Sequence, residues 1–269
     1  MDHDLQDHVV LVTGATDGLG RGLSGALVDA GAIVLVHGRD RKRIDDTVAE
    51  LEARGGTVRS YRADLSSLDG VRALAADVRE HELRLDVLVN NAGIGSTEPG
   101  GERRSESRDG HELRFAVNYL AGYLLTRELL ALLERSAPAR IVNVSSAGQM
   151  SLDFDDVMLE HGYSGVRAYC QSKLAQILFT IDLAERLDGR GVTVNALHPA
   201  TYMPTKIVRS PVSTLEEGIE ATLRLVADPA LADVSGRYFN GQREAHADAQ
   251  AYDQGARAQL RELSERLVG

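Results

Sequence analysis

Tryptophan is absent, and aromatic side chains make up only 4% of the 269 residues. Stacking platforms for single-stranded nucleic acid need such rings, so that class of binding is disfavoured. Lysine occurs only at Lys42, Lys173 and Lys206, and the formal net charge is −10. An acidic chain repels phosphate backbones and anionic headgroups, which argues against nucleic acid and membrane surfaces as partners. The lone cysteine, Cys170, excludes an internal disulfide and a cysteine-built zinc cage. It reads as a small buried apolar residue. No apolar run approaches the roughly 18 residues of a membrane span. The opening MDHDLQDHVV lacks the cationic patch and apolar stretch of a secretory signal. The histidines form no H-E-x-x-H pair, so no metal site is expected, and no G-x-S-x-G elbow marks a hydrolase. A cytoplasmic enzyme is the default expectation.

What is present is 43% hydrophobic residues, enough for a sizeable core, in short β-branched runs that alternate with longer amphipathic ones. The runs at 9–13, 33–37, 58–61, 87–90, 141–145, 192–197 and 237–240 read as strands, and stretches such as 41–54 and 67–80 as helices. This alternation predicts a doubly wound, seven-stranded parallel sheet with helices on both faces, in one Rossmann-type α/β domain over 1–269. Continuous apolar runs such as VVLV and IVLV suit strands buried on both faces. Residues 94–112 read as a mobile loop, and 200–217 as an irregular loop after the sixth strand.

Directly after the first strand comes Thr13-Gly14-Ala15-Thr16-Asp17-Gly18-Leu19-Gly20, followed by a helix over 21–30. Glycines there let the chain turn sharply and let backbone N–H groups approach a pyrophosphate at the positive end of the helix. The T-G-x-x-x-G-x-G spacing resembles the short-chain dehydrogenase/reductase superfamily, and the likeness continues along nearly the whole chain. It implies that Gly14, Thr16, Asp17, Gly18, Leu19 and Gly20 hold a dinucleotide. The second strand ends His37-Gly38-Arg39-Asp40. Gly38 stands where the family carries an NAD-selecting acid, and Arg39 follows. A guanidinium there would pair with a 2′-phosphate, so NADP(H) is favoured, with NAD(H) possible through Asp40. By the same resemblance Asp64 and Leu65 meet the adenine. In Asn90-Asn91-Ala92-Gly93, Asn91, Ala92 and Gly93 line the cofactor, while Asn90 braces the sheet.

Tyr169 and Lys173 are i and i+4 on a helix running to about Leu187, so they share one face. Carbonyl reduction needs a proton donor at the carbonyl oxygen. A free tyrosine, with a pKa of about 10, gives up its proton too reluctantly at neutral pH. A nearby ammonium stabilises the phenolate, and a shift of about 3 units corresponds to roughly 4 kcal/mol. A Tyr–Lys pair alone is a common helix-surface contact, and its company gives it weight. Upstream, IVNVSS ends a strand in hydroxyls. The resemblance makes Ser146 the group that holds the carbonyl oxygen, with Ser145 the runner-up, and makes Asn118 the anchor of a proton relay. As a buried polar residue in an apolar helix, Asn118 also suits a structural hydrogen bond. The implied tetrad is Asn118, Ser146, Tyr169 and Lys173, with Lys173 also bonding the nicotinamide ribose.

Ser146 and Tyr169 are separated by more residues than in compact family members. The segment from Ala147 onward resembles the retinol-dehydrogenase-like branch in wording and length. That branch tends towards NADP and hydrophobic carbonyls or alcohols. The stretch at about 147–166 reads as a flap beside the substrate cleft. Pro199 is placed at the nicotinamide carboxamide, Thr205 at the cofactor, and Tyr202 and Met203 at the walls of an apolar substrate pocket. The amphipathic stretch 117–133 and the Tyr169 helix are the family's subunit contacts, so a homodimer or homotetramer is expected. The reading is an NADP(H)-dependent carbonyl/alcohol oxidoreductase. Its alternatives are a 3-oxoacyl or polyketide-type ketoreductase and a non-catalytic dinucleotide-binding regulator.

Overall fold

The computed structural model describes residues 4–97, 101, 103–201, 203 and 212–269. The continuous apolar runs form the inner strands. β1 (Val9–Val12) and β4 (Val87–Asn90) are buried along their whole length and lie side by side at the centre of the sheet. Beyond β1 lie β2 (Ile33–Gly38) and β3 (Thr57–Arg62); beyond β4 lie β5 (Ala139–Val144), β6 (Val192–His198) and β7 (Tyr238–Asn240). All seven are parallel. The strand order reverses between β1 and β4, and the crevice beyond their carboxyl ends is where such a sheet takes a ligand.

An eighth strand, β8 (Arg243–Ala245), pairs antiparallel with β7, so the sheet exceeds the seven parallel strands predicted. The two are joined through Gly241, at φ +59°. Its short Arg-Glu-Ala sequence carries no hydrophobic alternation, as befits a short, exposed edge strand whose charges guard its open side.

Alternate strand residues enter two cores. Leu11, Leu35, Leu88 and Ile141 pack beneath α3 (Leu68–His81), α4 (Ala121–Arg135) and α5 (Gly165–Arg186). Val10, Val12, Val36, Val89 and Val144 face α1 (Gly18–Asp29), α2 (Arg41–Ala53) and α6 (Leu215–Ala227). Each such side chain contributes about 1.5–3 kcal/mol by leaving water. This two-sided burial fixes the register of β1, β4 and β5, and with it the floor of the crevice.

α7 (Gln254–Val268) lies along α5. Leu260 and Val268 are buried in the α3–α5 core, and the Ser264 hydroxyl lies 2.6 Å from that of Tyr119. Arg257 pairs with Glu185 at 2.7 Å, and Arg261 pairs with Asp182. α7 thus lies on part of α5, one of the two helices that the resemblance assigns to subunit contacts.

Residues 147–164 form no regular element and are pinned from both sides. Leu152 N–H donates to Gln250 Oε1 at 2.6 Å, and Gln250 Nε2 donates back to Leu152 O at 3.0 Å. Asp248 N–H donates to Gln149 Oε1 at 2.8 Å, and Arg104 Nε donates to Met158 O at 2.9 Å.

Candidate active site

The glycine turn is held from below by a residue the sequence reading passed over. Gly14 N–H donates to His37 Nδ1 at 3.2 Å, and Ala15 N–H donates to the His37 carbonyl at 2.9 Å. The His37 ring is therefore the Nε2–H tautomer, with Nε2 lying 3.3 Å from Ala63 O. Burial pushes its pKa down to about 4, which keeps the ring neutral and Nδ1 an acceptor. Gly14 adopts φ +66°, and a Cβ on Gly20 would lie 2.3 Å from Gly14 O, so only glycine permits this closure. Asn91 Nδ2 donates to Thr13 O at 2.8 Å, and Ala92 N–H donates to Thr13 Oγ1 at 3.0 Å, tying the end of β4 to the turn. Of the first amides of α1, that of Gly18 donates to Asp17 Oδ1 at 2.9 Å, and those of Leu19 and Gly20 have no partner within the helix.

At the end of β2, a Cβ on Gly38 would meet Thr16 Cγ2 at 2.7 Å and Ile44 Cγ1 at 3.0 Å. No side chain fits there without displacement, and the next residue, Arg39, is exposed. Asp40 caps α2, its Oδ1 accepting from Arg43 N–H at 2.9 Å. Asp64 accepts from the N–H and hydroxyl of Ser66 at 3.0 and 2.8 Å. Burial alone would raise its pKa; the Ser66 bonds and the charges of Arg39 and Arg108 outweigh that and lower it. Leu65 turns its side chain into the core.

α5 starts at the Ser164 cap, whose hydroxyl accepts from Arg167 N–H. Tyr169 is partly buried, and one turn on, Lys173 is buried at 5%. The Lys173 Nζ lies 5.9 Å from the centre of the Tyr169 ring. It donates to Val144 O at 2.9 Å and to Gln176 Oε1 at 3.0 Å. Burial pulls its pKa down to about 7; the two oxygens oppose this by stabilising the ammonium. Gln176, a polar neighbour of Lys173 that the sequence motifs do not mark, could have been found from its i+3 spacing on the same helix face.

The two serines separate by their bonds. Ser145 Oγ donates to the Lys173 carbonyl at 2.7 Å, which binds β5 to α5. Ser146 Oγ accepts from Gly148 N–H at 3.0 Å, leaving its proton to point elsewhere. It borders Gly148 together with the Tyr169 ring: a Cβ on that glycine would lie 3.5 Å from Ser146 Oγ and 3.7 Å from Tyr169 Cε1. Tyr238 donates to the Ser146 carbonyl at 3.1 Å.

Asn118 stands in a π-helical turn, Phe115–Leu120, just before α4. Its Oδ1 accepts from Ile94 N–H at 2.8 Å, while Nδ2 donates to Ile94 O at 3.1 Å and Ser172 Oγ at 2.9 Å. Its side chain therefore clamps the loop after β4 to α5. Gly93 lies exposed between this clamp and Lys173: a Cβ there would stand 3.3 Å from Asn118 Oδ1 and 3.5 Å from Lys173 Nζ. Asn90 braces the sheet by donating to Thr126 Oγ1 and Asn143 Oδ1 at 3.0 and 2.9 Å.

Pro199 is buried at the end of β6, next to His198, whose Nε2 lies 3.1 Å from Thr201 Oγ1. Burial and then the Lys173 charge lower the His198 pKa. Met203 packs against the core of α1 and α6, its sulfur 2.2 Å from where a Gly218 Cβ would be. The residue expected at the substrate pocket is thus seated, partly buried, between α1 and α6. Tyr202 and Thr205 lie outside the described residues.

A sheet that reverses at β1 and β4, a glycine turn at that point and a Tyr–Lys pair across the crevice define a nucleotide-binding oxidoreductase architecture. Residues 8–215 match the family model described as short chain dehydrogenase, and the chain belongs to that family, in its retinol-dehydrogenase-like branch. It is 36% identical to retinol dehydrogenase 14 of Mus musculus, over 97% of this chain and 85% of that protein. To retinol dehydrogenase 13 of Homo sapiens it is 37% identical, over 97% and 84%. Among solved structures it is similar to an uncharacterized protein from Mycobacterium paratuberculosis, with a TM-score of 0.82 and 28% identity over 99% of this chain and 95% of that one. It is also similar to Pseudomonas aeruginosa RhlG in an NADP active-site complex, with a TM-score of 0.73 and 30% identity over 88% and 95%. The chain is thus an oxidoreductase of the alcohol/carbonyl class that binds a nicotinamide dinucleotide.

Proposed function

We propose that the chain interconverts a hydrophobic carbonyl compound and its alcohol with NADP(H), using Tyr169 as the acid/base. The observation that carries this reading is the Tyr169–Lys173 pair: a partly buried phenol at 5.9 Å from a buried ammonium whose other contacts are neutral oxygens. With no carboxylate bonded to it among the described residues, the lysine charge is left to act on the phenol, and it favours the phenolate. The residues fit a dinucleotide. The turn closes only with glycine at Gly14 and Gly20, and the amides of Leu19 and Gly20 at the start of α1 are left for an anion. The N–H groups of Leu19 and Gly20 would hold the pyrophosphate, with Asn91, Ala92 and Gly93 under the adjoining ribose and Pro199 at the carboxamide.

When bound, the nicotinamide supplies or accepts the hydride at the carbon of the reacting group. The protein handles the proton. In reduction Tyr169 O–H donates to the carbonyl oxygen, and Ser146 Oγ–H donates a second bond that holds that oxygen in place. In oxidation the phenolate removes the alcohol proton. Lys173 keeps the phenolate stable in both directions, and Asn118, Ile94 and Ser172 hold the ground on which a relay to solvent would stand.

The NADP(H) preference is supported by Gly38, where a carboxylate has no room, and by exposed Arg39 beside it. A long apolar alcohol or aldehyde is the substrate class that the relatives' names suggest. The test follows NADPH absorbance against a panel of apolar and polar carbonyls. Activity on the apolar members is expected. Tyr169→Phe should abolish turnover and leave cofactor binding intact, and Arg39→Ala should raise the KM for NADPH far more than for NADH. Turnover retained in Tyr169→Phe would overturn the mechanism.

A further inference from the structure

Two charged residues border the adenosine end of the crevice. Asp17 closes the glycine turn as the cap of α1, its Oδ1 accepting from Gly18 N–H at 2.9 Å. Arg43 stands in the first turn of α2, four residues beyond Arg39. Its Nη2 reaches Asp17 Oδ2 at 3.1 Å, so the pair spans the gap between the glycine turn and the helix that follows β2. Thr16, next to Asp17, lies against Gly38, which puts this gap at the carboxyl end of β2. There a doubly wound sheet meets the adenosine ribose.

Both partners are nearly half-exposed, at 45% and 43%. An ion pair so exposed adds little to stability, so its interest lies in its position. A carboxylate at this place repels a 2′-phosphate, whereas a guanidinium fork has five N–H donors, of which Asp17 engages only one edge. The neighbouring cations of α2 are turned along their own helix: Lys42 pairs with Asp46 at 2.6 Å and Arg41 with Asp45 at 3.3 Å. Arg43 alone among these three reaches the turn.

We propose that Arg43 is a second 2′-phosphate ligand beside Arg39, and that Asp17, by sharing Arg43, limits how strongly the chain prefers NADP(H) over NAD(H). The proposal rests on the NADP(H) reading above. It is tested by calorimetric titration of the full chain with NADP⁺ and with NAD⁺. Arg43→Gln is expected to weaken NADP⁺ about tenfold, the loss of a charge-assisted contact, and to change NAD⁺ by less than about twofold. Arg43→Lys should restore part of the NADP⁺ affinity, since it returns the charge without the fork. Asp17→Asn keeps an oxygen for the Gly18 amide and should tighten NADP⁺ about threefold without tightening NAD⁺. Lys42→Gln removes the same charge from the same helix and should leave the ratio of the two constants as it is.

If Arg43→Gln moves that ratio no more than Lys42→Gln, or weakens both dinucleotides equally, the assignment is overturned and Arg43 only steadies the turn. The NADP(H) reading itself is judged on the unaltered protein: tighter binding of NAD⁺ than of NADP⁺ there would reject it before any variant is made.

Discussion

Gln176 accepts a hydrogen bond of 3.0 Å from the Lys173 ammonium, one turn further along α5 and away from Tyr169. The amide oxygen favours the charged lysine, which burial has already brought down to about 7. Removing it in Gln176→Leu should let Lys173 lose its proton at lower pH and so weaken its hold on the Tyr169 phenolate. The acid limb of the pH profile for alcohol oxidation should then move up by about one unit, the worth of one hydrogen bond to a charged group. A profile of kcat/KM that superimposes on that of the unaltered chain would reduce Gln176 to packing.

His37 makes the stability of the glycine turn depend on pH. Its pKa is lowered by burial from 6.5 to about 4 in the folded chain, so between these values the unfolded chain binds the extra proton. Acid therefore favours unfolding across this window, and the stability present above pH 6.5 is lost as pH falls. From pH 7 to 4.5 this one group should remove about 2 kcal/mol. Urea unfolding at the two pH values measures it. His37→Gln, with no titrating ring, should lose less stability over the same interval, and an identical loss would show that other groups govern the acid limb.

The parts of the site that were legible in the sequence are those set by local spacing. Gly14, Gly18 and Gly20 crowd one turn, and Tyr169 and Lys173 share one helix face, so short-range geometry announces them. What stayed hidden depends on chain segments far apart in sequence. His37 looked like one more residue of an apolar strand, and only the folded chain brings its ring under Gly14. The Arg43–Asp17 pair joins residues of two helices, and Gln250 reaches a loop nearly a hundred positions away. β8 was missed because three charged or small residues on a sheet edge carry no pattern.

α7 makes a prediction about assembly. Association through α4 and α5, as the resemblance suggests, would require displacing a helix that buries Leu260 and Val268 and bonds to Asp182, Glu185 and Tyr119. A stable interface buries about 1,600 Å² in all, and here part of the α5 surface is already covered from within. Light scattering behind size exclusion should therefore give the 29.1 kDa monomer at micromolar concentration. A dimer that persists after α7 contacts are weakened by Arg261→Ala, and is unaffected by that change, would place the interface elsewhere.

Gln250 anchors the stretch 147–164, which is expected to border the substrate cleft. Its side-chain amide accepts from Leu152 N–H and donates to Leu152 O, so one residue bonds both polar groups of another as a neighbouring strand would. Ser151 O also accepts from Gln171 Nε2 at 2.9 Å, on the same helix as Tyr169. The stretch expected to behave as a flap is thus anchored at Leu152, and its anchor is a side chain that touches neither the glycine turn nor Lys173. Gln250→Ala removes both bonds and leaves the buried Leu152 N–H and C=O without partners, at a cost of about 1–3 kcal/mol. The stretch should loosen before the cofactor site does. Substrate KM is expected to rise about fivefold or more while the dissociation constant of NADP⁺ changes by less than about twofold, since about 1 kcal/mol of lost positioning is enough for the first and the second site shares no bond with Gln250. The reverse order, with cofactor affinity falling first, would mean that residues 147–164 support the dinucleotide rather than the substrate.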